Sequence, residues 1–459
     1  AFVTSSIQMA RFQAILQLLI VYATTCVVFA SVAKSTGTEW YYNNWCGAGH
    51  EYLSDSKCAK LFPNALNREW TCGVPSKSAP SADSGFQRDA ILADVSVDTT
   101  ELASVVADPD VNLCVILTQR VADASAPAGV ALYNKYLCAG EYSASVAYEP
   151  WSSTKVFAMA NAAGHLRTNE TQCGAGDLHN HKFGLDGSVS GKHGPTQLAD
   201  LATVICSYDT TAGYSSNSLS SYFHDIGWRG RINDLVQNWL LVNQNNDAEQ
   251  TLGGNYGEAT PSDLTLDVTS PTASSSSATT CPADKDPWPI KFPNYLSALS
   301  AGELVRRIAL HREIPKELKF PGAEWIDMQN ILYGAANSTL FPGQAWGGMT
   351  ADTAIYTQSG VDLSNLLTKW DQDNNSQWRV FSKLGAGYSS DRSRGEIVSN
   401  AYTCLPRYEA GSTTAVGGIE FTIAARSSVA QDSSLNKAED KLHAAMDKAL
   451  QYVMAHYAV

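Results

Sequence analysis

The spacing of apolar positions changes several times along the chain, and the changes mark its elements. A mostly apolar run from Ala14 to Ala30 comes first. Residues 87–107 carry a weak helical pattern. Val111–Thr118 is a short unbroken apolar run, as in a buried strand. Gly129–Leu137 follows the turn chemistry of Asp123–Gly129 as its hairpin mate. A polar turn at Glu149 then feeds an apolar helix reaching Ala163. Helical periodicity returns over 197–206, from Leu219 to about Leu241, over 294–311 and over 325–332. The last part alternates strand and turn: 378–383, 397–402 and 418–426 read as antiparallel strands. A closing amphipathic helix over 435–456 has the stripe Leu435, Ala438, Leu442, Met446, Ala449, Leu450 and Val453.

Between these elements lie stretches of another kind. Residues 34–84 are rich in Cys, Trp and Tyr and end in a Ser/Pro linker. They read as a small stapled segment whose aromatics either pack that segment or contact carbohydrate. Residues 243–292 read as an insert, loop-like and low in complexity around Ser270–Thr280. Asp177, His179 and His181 sit in a polar loop that His193 follows. They lack a confirming partner at ligand spacing, so no metal site is assigned.

Composition narrows the class. Hydrophobic residues at 44% and charged residues at 17% suit a large globular core. A net charge of −13 with no basic cluster argues against nucleic acid as a partner. Residues 1–33 read as a secretory signal peptide, with 1–8 ahead of the candidate start Met9. No later run is long enough to span a membrane, so a mature chain would carry no span. The expected location is secreted, or periplasmic in a bacterium. Export favours disulfides among the nine cysteines beyond Cys26. Proximity suggests Cys58–Cys72, Cys114–Cys138 and Cys173–Cys206. Asn169, Asn337 and Asn374 are candidate glycosylation acceptors.

The chemistry is concentrated in three short motifs. Ser152-x-x-Lys155 opens the apolar helix, Ser215-x-Asn217 opens a later one, and Lys383-x-Gly385 lies on a C-terminal strand. A serine hydroxyl becomes a nucleophile when a base takes its proton, and a desolvated lysine is such a base. Ser-x-x-Lys recurs at Ser54/Lys57 and Ser434/Lys437. Only the copy at Ser152 opens a buried helix and precedes the other two motifs.

In this order the motifs resemble those of the serine β-lactamase and penicillin-binding protein superfamily, with the class A β-lactamases the nearest likeness over most of 110–459. The resemblance implies an α+β, β-lactamase-like fold. In it an antiparallel sheet is flanked by N- and C-terminal helices, and an all-α subdomain carries Ser-x-x-Lys and Ser-x-Asn. It implies that Ser152 forms an acyl-enzyme and that Lys155 is the base. Ser215 would relay a proton to the leaving group, and Asn217 would orient Lys155 and hold a substrate amide. Lys383 would supply positive potential, and the backbone N–H groups of Ser152 and Ala386, beyond Gly385, would form the oxyanion hole. It implies no cofactor, and a small-molecule or peptide-like amide or ester as substrate.

Two departures stand out. Leu384 replaces the hydroxyl residue usual in the third motif, which weakens recognition of a substrate carboxylate. The Glu-x-x-x-Asn pattern of the class A deacylating loop is missing where the insert falls; Glu258 is the nearest candidate base and Glu249 another. The competing expectation is a protein of this fold that binds or scaffolds without turnover. The sequence leaves oligomeric state open.

Overall fold

In a computed structural model the described residues are 68–69, 72–73, 75–168, 187–209, 211–241, 250–268, 279–281, 293–341, 347–352, 379–390, 392–408 and 415–458. The chain divides into two compact units, 1–55 and 56–459. The first lies wholly outside the described residues, as do the leader over 1–33, the copy at Ser54/Lys57, Asp177, His179, His181, Glu249, Asn169 and Asn374.

In the second unit the strands are β1 (Gln87–Arg88), β2 (Val97–Asp98), β3 (Val111–Ala122), β4 (Val130–Cys138), β5 (Ser188–Ser190), β6 (Thr196–Gln197), β7 (Thr265–Val268), β8 (Thr279–Cys281), β9 (Arg379–Ser389), β10 (Arg394–Tyr408) and β11 (Ala415–Ala430). The α-helices are α1 (Glu141–Ser145), α2 (Lys155–Thr168), α3 (Leu198–Ser207), α4 (Ser216–Gly227), α5 (Arg229–Asp234), α6 (Ala298–Ala309), α7 (Trp325–Tyr333) and α8 (Leu435–Tyr457).

The main sheet runs β1-β4-β3-β11-β10-β9, with β2 added parallel to β4 and every other pair antiparallel. Two stretches from opposite ends of the sequence therefore build one sheet. It is covered on both faces. Gly302 of α6 approaches Ala424 of β11, whereas Ser427, of opposite parity on that strand, donates to Ala438 O in α8. That double cover explains why β3 reads as a continuous apolar run and not as an alternation. α8 buries the expected stripe from Ala438 to Val453, while Leu435 at its first turn stays half-exposed.

Helices α2, α3, α4 and α7, which lie in sequence between the two halves of the sheet, pack on one another as an all-α lobe. α2 is buried from Lys155 to Leu166 on every side, as a helix without a polar face must be. Gly227 of α4 allows this, since a β-carbon there would stand 2.9 Å from Ala162 Cα, and Asn161 Nδ2 donates to Gly227 O at 2.7 Å.

Several expectations need correction. Residues 87–107 form no α-helix; they make β1, β2 and short 3₁₀ turns. Side chains there bond to backbone in competition with a helix: Asp98 Oδ1 accepts from Thr100 N and Glu101 N, and Gln87 Oε1 from Ser96 N. The helix expected to reach Leu241 breaks at Trp228, which has φ 61°. The segment read as a loop-like insert contributes β7 and β8 to a second sheet, β6-β5-β7-β8. Strands this short take their conformation from their partners. Among the described residues the disulfides are Cys114–Cys138, which are direct cross-strand partners, and Cys72–Cys404. Cys72 therefore does not pair with Cys58, and Cys206 is a free, buried thiol and not the partner of Cys173. Nearness in sequence misled because Cys404 comes to Cys72 only through the folded sheet. No described helix is long and apolar enough to cross a membrane.

Candidate active site

Ser152 lies in a 3₁₀ turn, Trp151–Thr154, that runs straight into α2 at Lys155. Trp151 has φ 51°, a region that costs an L-residue about 1–2 kcal/mol. The surroundings hold it there. Its indole Nε1 donates to Glu396 Oε2 at 3.1 Å, and its ring lies against Gly387. Glu396 is itself gripped by Arg392 and Arg426. Ser153 Oγ donates to Pro150 O at 2.6 Å and accepts from Asn400 Nδ2 at 2.9 Å. β9 meets this turn through Gly385, where a β-carbon would stand 2.9 Å from Ser153 N and 3.0 Å from Ser152 N. The glycine of Lys-x-Gly is thus a steric necessity, and it brings the backbone next to Ala386 close to that of Ser152. Among the described residues β9 is the last strand of its sheet, with β10 on one side.

Lys155 is fully buried, and its Nζ donates to Asn217 Oδ1 at 2.6 Å and Ser216 Oγ at 2.9 Å. Burial, then the ammonium of Lys383, push its pKa well below that of an ordinary lysine. The rings of Tyr208 and Tyr256, 5.4 and 5.3 Å away, favour the charged form. That preference is worth about 0.5–2 kcal/mol, whereas full burial moves a lysine by up to about 3–5 pH units, so the neutral amine wins. A neutral amine has two N–H bonds. Both are taken here, which leaves its lone pair free.

Lys383, also fully buried, behaves in the opposite way. Burial lowers its pKa, but the Asp352 carboxylate at 2.7 Å more than offsets this and keeps it protonated. Asp352 also accepts from Leu384 N at 2.9 Å and Ser382 Oγ at 3.3 Å. The two remaining Lys383 bonds go to the Tyr208 hydroxyl at 2.8 Å and Leu384 O at 3.1 Å.

Ser215 caps α4, accepting from Ser218 N at 3.0 Å, and its hydroxyl donates to Glu258 Oε2. Asn217 Nδ2 lies 3.4 Å from Glu258 Oε1, and Ser221 Oγ donates to Glu258 O at 2.8 Å. The exposed Glu258 carboxylate is therefore joined to the second motif.

The three motifs and Glu258 meet, but the residue that lies against both Lys155 and Lys383 is one the sequence did not mark. Tyr208 ends α3 with φ 58°. Its hydroxyl accepts from Lys383 Nζ at 2.8 Å and donates to Leu384 O at 3.1 Å. Burial raises its pKa, against the pull of Lys383. Asp352 and Glu396 were missed as well. No local spacing announces any of the three, since each reaches the site from a distant segment. Asn337 is exposed in a turn after α7. His193 is exposed too, and no group of three His, Cys, Asp or Glu among the described residues is arranged to hold a metal.

A two-sided antiparallel sheet, an all-α lobe carrying Ser152 and Ser215, and an edge strand carrying Lys383 make the fold α+β and serine β-lactamase-like. No protein-family model and no curated protein matches the chain. Among solved structures, it is similar to a class A β-lactamase from Bacteroides cellulosilyticus DSM 14838, with TM-score 0.38 and 9% identity over 78% of this chain and 99% of that one. It is similar to a β-lactamase from Chitinophaga pinensis DSM 2588, with TM-score 0.37 and 12% identity over 78% of this chain and 98% of that one. An ancestral (GNCA) class A β-lactamase gives TM-score 0.36 and 13% identity over 77% and 98%. Likenesses this distant say nothing of activity.

Proposed function

We propose that the protein is a serine hydrolase that forms an acyl-enzyme on Ser152 with an amide or ester substrate. The observation that carries this is the setting of Lys155: fully buried at the start of the helix that Ser152 opens, with Nζ donating to Asn217 and Ser216 and its pKa pushed well down by burial and by Lys383. Ser152 Oγ attacks the acyl carbon and its proton passes to Lys155 Nζ. The oxyanion is held by the N–H groups of Ser152 and Ala386, with the helix dipole of α2 in support. Lys155 returns the proton to the leaving group through Ser215, and Asn217 keeps Lys155 oriented. Glu258 is the base that activates water for deacylation. Export through the leader at 1–33 belongs to the same reading and suits the two disulfides.

The rival reading, binding without turnover, draws on Leu384 and on the tie between Ser215 and Glu258. The test is to treat purified protein with a fluorophosphonate and map the adduct by mass. A label on Ser152 that Ser152→Ala abolishes is expected. An unlabelled wild type would favour the binding protein.

A further inference from the structure

We propose that this site selects acyl substrates without a carboxylate beside β9, that is, neutral esters or amides, because Tyr208 and Asp352 occupy the cation such a carboxylate would need. The inference rests on Ser152 being the nucleophile. An ammonium has three N–H bonds, and those of Lys383 are spent inside the protein: on Asp352 Oδ1 at 2.7 Å, Tyr208 Oη at 2.8 Å and Leu384 O at 3.1 Å. The ammonium has no exposed surface, and its charge is already matched by a carboxylate in contact. A second anion would have to displace Tyr208, which is also bonded to Leu384 O, or stay unpaired in a desolvated site.

Two further features point the same way. Leu384 supplies no hydroxyl, only a half-buried apolar side chain. Glu258 places a negative charge at Ser215 and Asn217, on the helical side of the cleft. An anionic substrate would find the lysine capped and another carboxylate nearby, so the rejection comes from unpaired charge and not from shape.

The experiment compares two alkyl fluorophosphonates of equal length, one ending in a methyl ester and one in a carboxylate, by the rate of adduct formation on Ser152. The neutral probe is expected to label wild type about tenfold faster or more. In Tyr208→Phe, which frees one Lys383 N–H, the ratio should fall toward one. Equal rates, or a faster carboxylate probe in wild type, would overturn the inference while leaving Ser152 as nucleophile. If neither probe labels wild type, the Ser152 reading itself fails, and this one with it.

Discussion

The same tetrad begins two helices of this protein, and only one of them has the surroundings that the proposed chemistry needs. Ser434-x-x-Lys437 opens α8 as Ser152-x-x-Lys155 opens α2. Ser434 is exposed and caps its helix by accepting from Asn436 N at 3.2 Å, with Lys437 in solvent. Ser152 follows a residue in left-handed conformation under β9, and its lysine has no access to water. Spacing puts a lysine one turn from a serine in both. Burial, Lys383 and Asn217 set one of them apart, so the reactivity proposed for it would come from the surroundings and not from the tetrad.

This contrast can be broken experimentally, beginning with the largest effect. Ser152→Ala should abolish fluorophosphonate labelling, and Ser434→Ala should leave it intact; labelling lost in the second would sink the distinction. Lys155→Met should slow labelling by about 10²–10⁴-fold, the range of one general base, while Lys437→Met changes nothing. Gly385→Ala should cost about 100-fold, since its β-carbon would push β9 away from Ser152 N. The pH profile sharpens the contrast further. Neutral Lys155 is the active form and its pKa is lowered, so the rate should climb about tenfold per pH unit in acid. It should level off well below the ordinary lysine value of about 10.4. A climb that continues to that value would show a solvated lysine. The smallest effect is on stability: Ser434→Ala should cost about 0.5–2 kcal/mol in denaturant unfolding through loss of a cap.

How legible this was in the sequence differs between elements for physical reasons. β3 and β4 were readable because burial on both faces writes a continuous apolar run, and α8 because a helix half in water must show a stripe. The Ser152, Ser215 and Lys383 motifs were readable because each is local. Tyr208 and Asp352 were not. Tyr208 acts through a backbone reversal at the end of α3, and Asp352 lies 31 positions before the lysine it neutralises. The helix assumed over 87–107 failed where short polar side chains satisfied the backbone themselves. The Cys72 pairing failed because its partner is 332 positions away.

That sheet order has a consequence for how the protein is made. β11 joins β3 to β10, with Thr422 opposite Ile116, so the strand that unites the two halves is made only after β1 to β10. Cys114 and Cys138 can close early, 24 positions apart, whereas Cys72 must wait for Cys404. Until then Ser152 lacks Gly385 above it, and Lys155 lacks the charge of Lys383. Contacts of such long range form slowly, because loop closure must precede them. A nascent chain that ends before β9 therefore carries Ser152 without the surroundings that the proposed chemistry needs. A chain truncated before β9 should be inert however well its helical lobe folds.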